Sequence, residues 1–214
     1  MNSVKAIVFI FFIFTLNARA QHARTFSNYG LLYSPSKTGG TFQISMGESI
    51  SFGKFPPLRL LAGVNHTTKF YKEGEWTKKD IKNAGLFQLK ENTRVSKLNF
   101  PVGAELTYKG FGVGISHDIF NFGLKKTLDS GKVSLPPNTE YSQLRFSSIF
   151  SGKSKNSLGS TIYINATINE SFSFIFGIIS QKSIFNIYKN SKKTDYIGLG
   201  EAQPYFSLRF NIEK

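Results

Sequence analysis

The segment 203–212, QPYFSLRFNI, alternates strictly. Tyr205, Ser207, Arg209 and Asn211 fall on one parity, and Phe206, Leu208, Phe210 and Ile212 on the other. A period of two is the signature of a strand with two unlike faces. The same pattern recurs along most of the chain. Residues 41–54 set Phe42, Ile44, Met46, Ile50 and Phe52 against Gln43, Ser45, Gly47, Ser49 and Ser51. Residues 95–108 set Leu98, Phe100, Val102, Ala104, Leu106 and Tyr108 against Lys97, Asn99, Gly103, Glu105 and Thr107. Further strands are predicted over 26–33, 57–70, 111–123, 141–152, 158–168, 171–179 and 184–189. Helical periodicity is almost absent. Glu48 interrupts the apolar parity of its strand and Pro101 lies inside another, and each predicts a bulge or local change of register.

The connections carry the topology. Residues 54–57, 109–110, 152–157 and 180–183 are short, whereas 71–94 and 124–140 are long and polar. Keeping 26–33 as a strand, every second connection is a tight turn, which favours about ten strands. Leaving out 26–33 and fusing 171–189 gives about eight, the alternative count.

The first twenty residues stand apart. Lys5 precedes an apolar run with IVFIFFIF at its centre, and Ala18-Arg19-Ala20 has the form of a cleavage site. This is the pattern of a secretory signal peptide, and the run is too short to span a bilayer as a helix. Residues 21–214 are then expected to form a single domain. Loss of Lys5 and Arg19 leaves 25 basic against 13 acidic residues, a net charge of +12. In an exported protein such an excess points to anionic phosphate on a cell surface and away from nucleic acid. The chain has no cysteine. That excludes a disulfide scaffold, a thiolate metal site, a thiol nucleophile and a lipid-anchored cysteine.

A leader, alternating segments near ten residues long, and short turns on one side with long loops on the other make up the pattern of an outer-membrane barrel. The chain resembles the small outer-membrane β-barrels abundant in Bacteroidetes, OmpA-type transmembrane domains in the broad sense. The likeness rests on pattern and on the Tyr/Phe-rich closing strand. It implies an all-β, antiparallel up-and-down transmembrane barrel in the outer membrane of a Gram-negative cell, and it implies no activity. Phe210 is followed by Asn211, Ile212, Glu213 and Lys214, so the chain lacks the terminal aromatic residue on which many such proteins end.

The physical reading agrees. A sheet in hydrocarbon must close, because unpaired backbone groups there are very costly. Phe206, Leu208 and Phe210 would face lipid. The mean hydropathy of −0.17 is compatible, since only half of each strand needs to be apolar. Twenty-two Phe and nine Tyr suit a lipid face with aromatic girdles. The polar parity is rich in Gly and Ser and poor in Lys and Glu, which suits a packed interior better than a wet surface. Arg59, Lys97, Glu105, Arg145 and Arg209 share the lumen parity, with Asp118 a further candidate. They are expected to form a salt-bridged network filling a narrow barrel.

No catalytic or metal site is expected, and no cofactor. Ser116-His117-Asp118 imitates a triad, but neighbours on a strand point to opposite faces. The function expected is a structural or surface-binding barrel. A small pore, porin-like, is the alternative, and so is a soluble periplasmic lipid-binding barrel. Lys125, Lys126, Lys192 and Lys193 form basic loops suited to outer-membrane lipid and lipopolysaccharide. The sequence names no partner protein.

The loop pattern places both termini on the periplasmic side. With cysteine introduced singly, Lys79→Cys and Ser130→Cys are expected to react with an impermeant reagent on intact cells and Lys109→Cys is not. Labelling at position 109 alone would invert the topology.

Overall fold

The computed structural model describes residues 24–36, 39–52, 58–76, 87–90, 92–124, 127–128, 139–151, 157–169 and 171–214. The expected leader, Lys79, Lys125, Lys126 and Ser130 lie outside them. The elements are β1 (Arg24–Ser36), β2 (Gly39–Phe52), β3 (Leu58–Tyr71), β4 (Gly74–Trp76), β5 (Phe87–Leu89), β6 (Thr93–Tyr108) and β7 (Phe111–Leu124). They continue with β8 (Thr127–Leu128), β9 (Thr139–Gln143), β10 (Phe146–Ser148), β11 (Ser160–Asn169), β12 (Phe172–Lys189) and β13 (Lys192–Glu213).

Every pairing is antiparallel. The order β1-β2-β3-β6-β7-β11-β12-β13 returns to β1, a closed ring of eight strands. β13 closes it against β1, with Tyr29 opposite Phe210 and Tyr33 opposite Phe206. A circuit from Arg24 through Ser51, Arg59, Glu105, Gly114, Tyr163, Gly177 and Tyr205 returns to β1 beside Tyr33, far along the strand from where it began. Such stagger accompanies tilted strands in a closed barrel.

The ring thus takes the smaller of the two counts, by a different route. Residues 26–33 are part of a ring strand, and 171–189 form one continuous strand, β12. The segment expected at 141–152 is divided. β9 pairs β12, whereas β10 pairs β7, so Leu144 and Arg145 cross from one neighbour to the other. Leu144 N–H donates to Ile184 O at 2.7 Å, and Gly123 N–H donates to Arg145 O at 2.9 Å. This insert stands above the end of the short strand β11 and completes the wall between β7 and β12.

Chain ends and long connections lie at opposite ends, but the turn expected at 180–183 is inside β12, and the one expected at 152–157 falls in the connection from β7 to β11. Arg24 and Glu213 pair at the end that also holds the turns after β2, β6 and β11, and the long connections 72–92 and 125–159 leave from the other end. Lys109 (φ 46°) and Gly110 (φ 83°) make one two-residue hairpin, and Asn190 (φ 49°) and Ser191 (φ 62°) make another. Left-handed residues match the twist of the flanking strands. Pro101 marks a bulge. Phe100 faces Phe120 while Pro101 faces Asp118, so Ile119 has no partner on β6. Glu48 marks none. Its rungs with Ser27 and Ala62 are regular, and its side chain stands on the outer wall bonded to Lys214 Nζ at 2.8 Å.

The two faces are sorted against the habit of water-soluble proteins. Phe111, Val113, Ile115, Ile162, Ile164, Met46, Leu31, Phe206 and Phe210 are exposed on the outer wall. Asn99, Asn121, Glu105, Ser49 and Thr67, each 1 % exposed, fill the interior. An apolar surface running round the whole ring has no stable contact with water but suits hydrocarbon, in which the closed ladder leaves no strand edge.

Leu208 is half-buried on this outer face, between Phe206 and Phe210. Leu208→Arg is expected to lower stability by about 2–4 kcal/mol in reversible unfolding from lipid, as for a charge near the bilayer midplane. A cost near zero would remove Leu208 from the lipid face.

Candidate functional site: the filled lumen

At the end nearest the termini the interior is built around one carboxylate. Arg59 and Glu105 are direct cross-strand partners of β3 and β6. Glu105 also faces Gly114 on β7, which in turn faces Tyr163 on β11. The glycine makes room for a contact between them. A Cβ at position 114 would lie 2.3 Å from Tyr163 Cζ and 2.5 Å from its hydroxyl. Without one, the tyrosine ring lies across β7 and its hydroxyl donates to Glu105 Oε2 at 3.0 Å. Arg209 on β13 donates from Nη1 to the same carboxylate oxygen at 2.7 Å and from Nη2 to Tyr163 Oη at 3.2 Å. Thr107 reaches the second oxygen at 3.3 Å.

Arg59 completes the layer. Its guanidinium lies 4.6 Å from the centre of the Phe26 ring, and Nη1 approaches Asn211 Oδ1 at 3.5 Å. A cation over an aromatic face is attracted by the ring quadrupole. Two guanidinium groups and one carboxylate leave this layer with a formal excess of one positive charge. Glu105 is 1 % exposed and Arg209 8 %, so the pair depends on its own hydrogen bonds and not on water.

The middle of the lumen is mixed. Leu32, Ile175, Ile179, Tyr163 and Tyr205 form an apolar cluster on one side. Opposite, Asn99 donates to Thr67 at 2.8 Å and Thr67 to Gln43 at 2.9 Å. Lys97 Nζ donates to Ser157 O at 3.0 Å and lies within electrostatic reach of Asp118. Asp118 Oδ2 accepts the Gly159 N–H at 2.8 Å. Leu32, Gln43, Asp118, Tyr163, Ile175 and Tyr205 are among the residues lining a cavity of about 140 Å³. Gln181, also in the lining, has no hydrogen-bond partner for Oε1 among the described residues. At the loop end Tyr71, Val95, Tyr141, Phe185, Ile197 and Leu199 converge with Leu89 of β5 into an apolar cap.

The sequence-predicted residues divide accordingly. Arg59, Glu105 and Arg209 come together in one layer, and Lys97 lies in another, with Asp118. Arg145 is a correction. It is exposed and outside the lumen, because the crossing at Leu144–Arg145 breaks the alternation that placed it inside. Tyr163, Asn211 and Lys69 also belong to the interior, and the sequence does not single them out. Their parity is legible, but the glycine register that brings Tyr163 to Glu105 is not. His117 is exposed and bonds Ser160 Oγ at 2.7 Å, Ser116 bonds Thr161 at 2.6 Å, and Asp118 is buried, so the three do not act in line. Lys192 and Lys193 are exposed where β13 leaves the 190–191 turn, and Lys125 and Lys126 lie outside the described residues.

No protein-family model and no curated protein matches the sequence. Among solved structures, the crystal structure of Neisserial surface protein A (NspA) aligns with 89 % of this chain and 97 % of its own, at 10 % identity and a TM-score of 0.32.

Breaking the Glu105–Arg209 pair from one side is expected to cost about 3–5 kcal/mol, because the other ion stays buried without its partner. Glu105→Ala and Arg209→Ala are each expected to show this loss in unfolding from detergent, and the double variant less than their sum. Strict additivity would mean that the two do not interact.

Proposed function

We propose that this protein is an integral outer-membrane barrel with a sealed lumen, which acts through the surface it presents and not through transport or catalysis. The observation that supports this most directly is the filling of the interior. The Glu105–Arg209–Tyr163 layer lies at one end, the apolar cap of Tyr71, Leu89, Tyr141 and Phe185 at the other. A pore for ions or solutes needs a continuous wet path, and an eight-stranded ring has an interior just wide enough for side chains to fill.

The outer-membrane location rests on the apolar outer wall, the closed ladder and the leader-like N-terminus together. The kinship with Bacteroidetes barrels belongs to the same proposal. What projects from the membrane is the long β12–β13 hairpin. Phe206 is opposite Tyr33, yet β13 runs back to Lys192 while β1 ends at Ser36. The hairpin therefore stands well beyond β1 and, with the long connections, makes the exposed part of the molecule available to a partner.

Purified protein reconstituted in planar bilayers is expected to give no stepwise conductance at neutral pH, and to migrate differently in electrophoresis before and after boiling. Regular conductance steps would favour the pore. Unchanged mobility together with failure to fractionate with membranes would favour a soluble barrel.

A further inference from the structure

Resting on the membrane reading above, we propose that a groove on the outer wall beside the β1–β2 hairpin binds a phosphorylated lipid of the outer-facing leaflet. Lys72 and Arg94 would hold the phosphate, and the slot between Tyr33 and Phe70 would hold the first part of an acyl chain.

The groove arises from the register. Gly40 of β2 lies between Pro35 of β1 and Phe70 of β3, and Phe70 in turn faces Arg94 of β6. All share the outward parity, with Gly40 itself buried at the floor between its neighbours. Having no side chain, Gly40 leaves a gap in an otherwise apolar wall. A Cβ there would meet only Ser34 O at 3.3 Å and the Tyr33 ring at 3.9 Å. Tyr33 is 57 % and Phe70 47 % exposed, so the gap has an aromatic wall on each side. The space measures about 550 Å³ and extends over Gly39, Tyr71, Lys72, Asn92, Thr93 and Arg94.

Charge and height identify the occupant. Lys72 comes directly after the last residue of β3 and Arg94 pairs with Phe70, so both cations stand at the loop-side edge of the apolar wall. Among the described residues neither has a carboxylate partner. Glu73, which follows Lys72 in the chain, has its backbone N–H held by Asn92 Oδ1 at 3.0 Å. Thr93, 5 % exposed and opposite Tyr71, turns its side chain toward the lumen and adds only backbone to this space. Below them the outer wall continues as Phe42, Leu31 and Ile44, all exposed.

Two cations without a carboxylate partner among the described residues, above a hydrocarbon-facing wall, complement a phosphate whose chains enter the bilayer. Arg offers the forked donor geometry that phosphate prefers. Lys192 and Lys193 are placed less well for this ligand, because the β12–β13 hairpin carries them beyond the edge of the apolar wall.

The test uses the full mature chain in phosphatidylcholine nanodiscs, with bis-phosphorylated lipid A titrated in and bound lipid counted by native mass spectrometry. Lys72→Gln/Arg94→Gln is expected to weaken binding about tenfold or more, whereas Lys192→Gln/Lys193→Gln leaves it within about twofold. Tyr33→Ala is expected to weaken lipid A but not inorganic phosphate, which separates the lipid site from a bare anion site. Equal binding by wild type and the Lys72/Arg94 variant, both heat-modifiable and inserted, would overturn the groove while leaving the barrel reading intact. Loss of binding only in the Lys192/Lys193 variant would overturn it in favour of the hairpin tip. Failure of the wild type to insert would instead overturn the membrane reading.

Discussion

The ladder between β1 and β13 is the contact on which the rest of the molecule depends. It joins the first and last strands of the ring, and so pairs the two ends of the described chain. Without it the sheet would have two open edges, each a row of unpaired N–H and C=O groups facing hydrocarbon. Closure removes both edges. It also fixes an inside and an outside, and the period-two alternation then sends every second residue to a different medium. The apolar wall and the polar lumen are two consequences of one topological fact.

A closed ring of eight leaves a narrow interior, and the polar residues directed into it must satisfy one another. The structure does this in layers. Near the termini Glu105 collects donors from Arg209, Tyr163 and Thr107. The arrangement needs the space left at Gly114. Gly177 has a similar part, since a Cβ there would come within 2.8 Å of both Tyr163 Cβ and Tyr205 Cε1. Glycines on the lumen parity thus balance large side chains from facing strands, which is why that parity is rich in glycine without being loosely packed. Higher up, the Tyr71–Phe185–Ile197 cluster covers the lumen with apolar side chains.

The exposed features then acquire a common setting. Lys72, Arg94, Tyr33 and Phe70 lie where apolar wall gives way to loop, a level at which a membrane protein meets both acyl chains and phosphate. The β12–β13 hairpin, anchored by Ile184, Phe185, Ile197 and Leu199, continues past that level. On the proposed membrane reading the two regions address different surroundings, the first the lipid surface and the second whatever lies beyond it.

The sequence by itself determined which residues share a face, because alternation is a local property of extended backbone and needs no partner strand. That was enough to separate Phe206, Leu208 and Phe210 from Arg209, to place Arg59, Glu105 and Lys97 on the interior parity, to locate the Lys109–Gly110 turn and to foresee an irregularity at Pro101. Only the tertiary structure decided the strand count, since the division of 139–148 between β12 and β7 depends on the gap above a short β11. The same crossing turned Arg145 outward. Glu48 kept a regular register because an ion pair with Lys214, 166 residues away, accommodates its charge on the outer wall. The meeting of Tyr163 with Glu105 across Gly114 likewise depends on register between strands remote in sequence. Between strands that no tight turn joins, such as β7 and β11, register is set across the ring and no local stretch of the chain contains it.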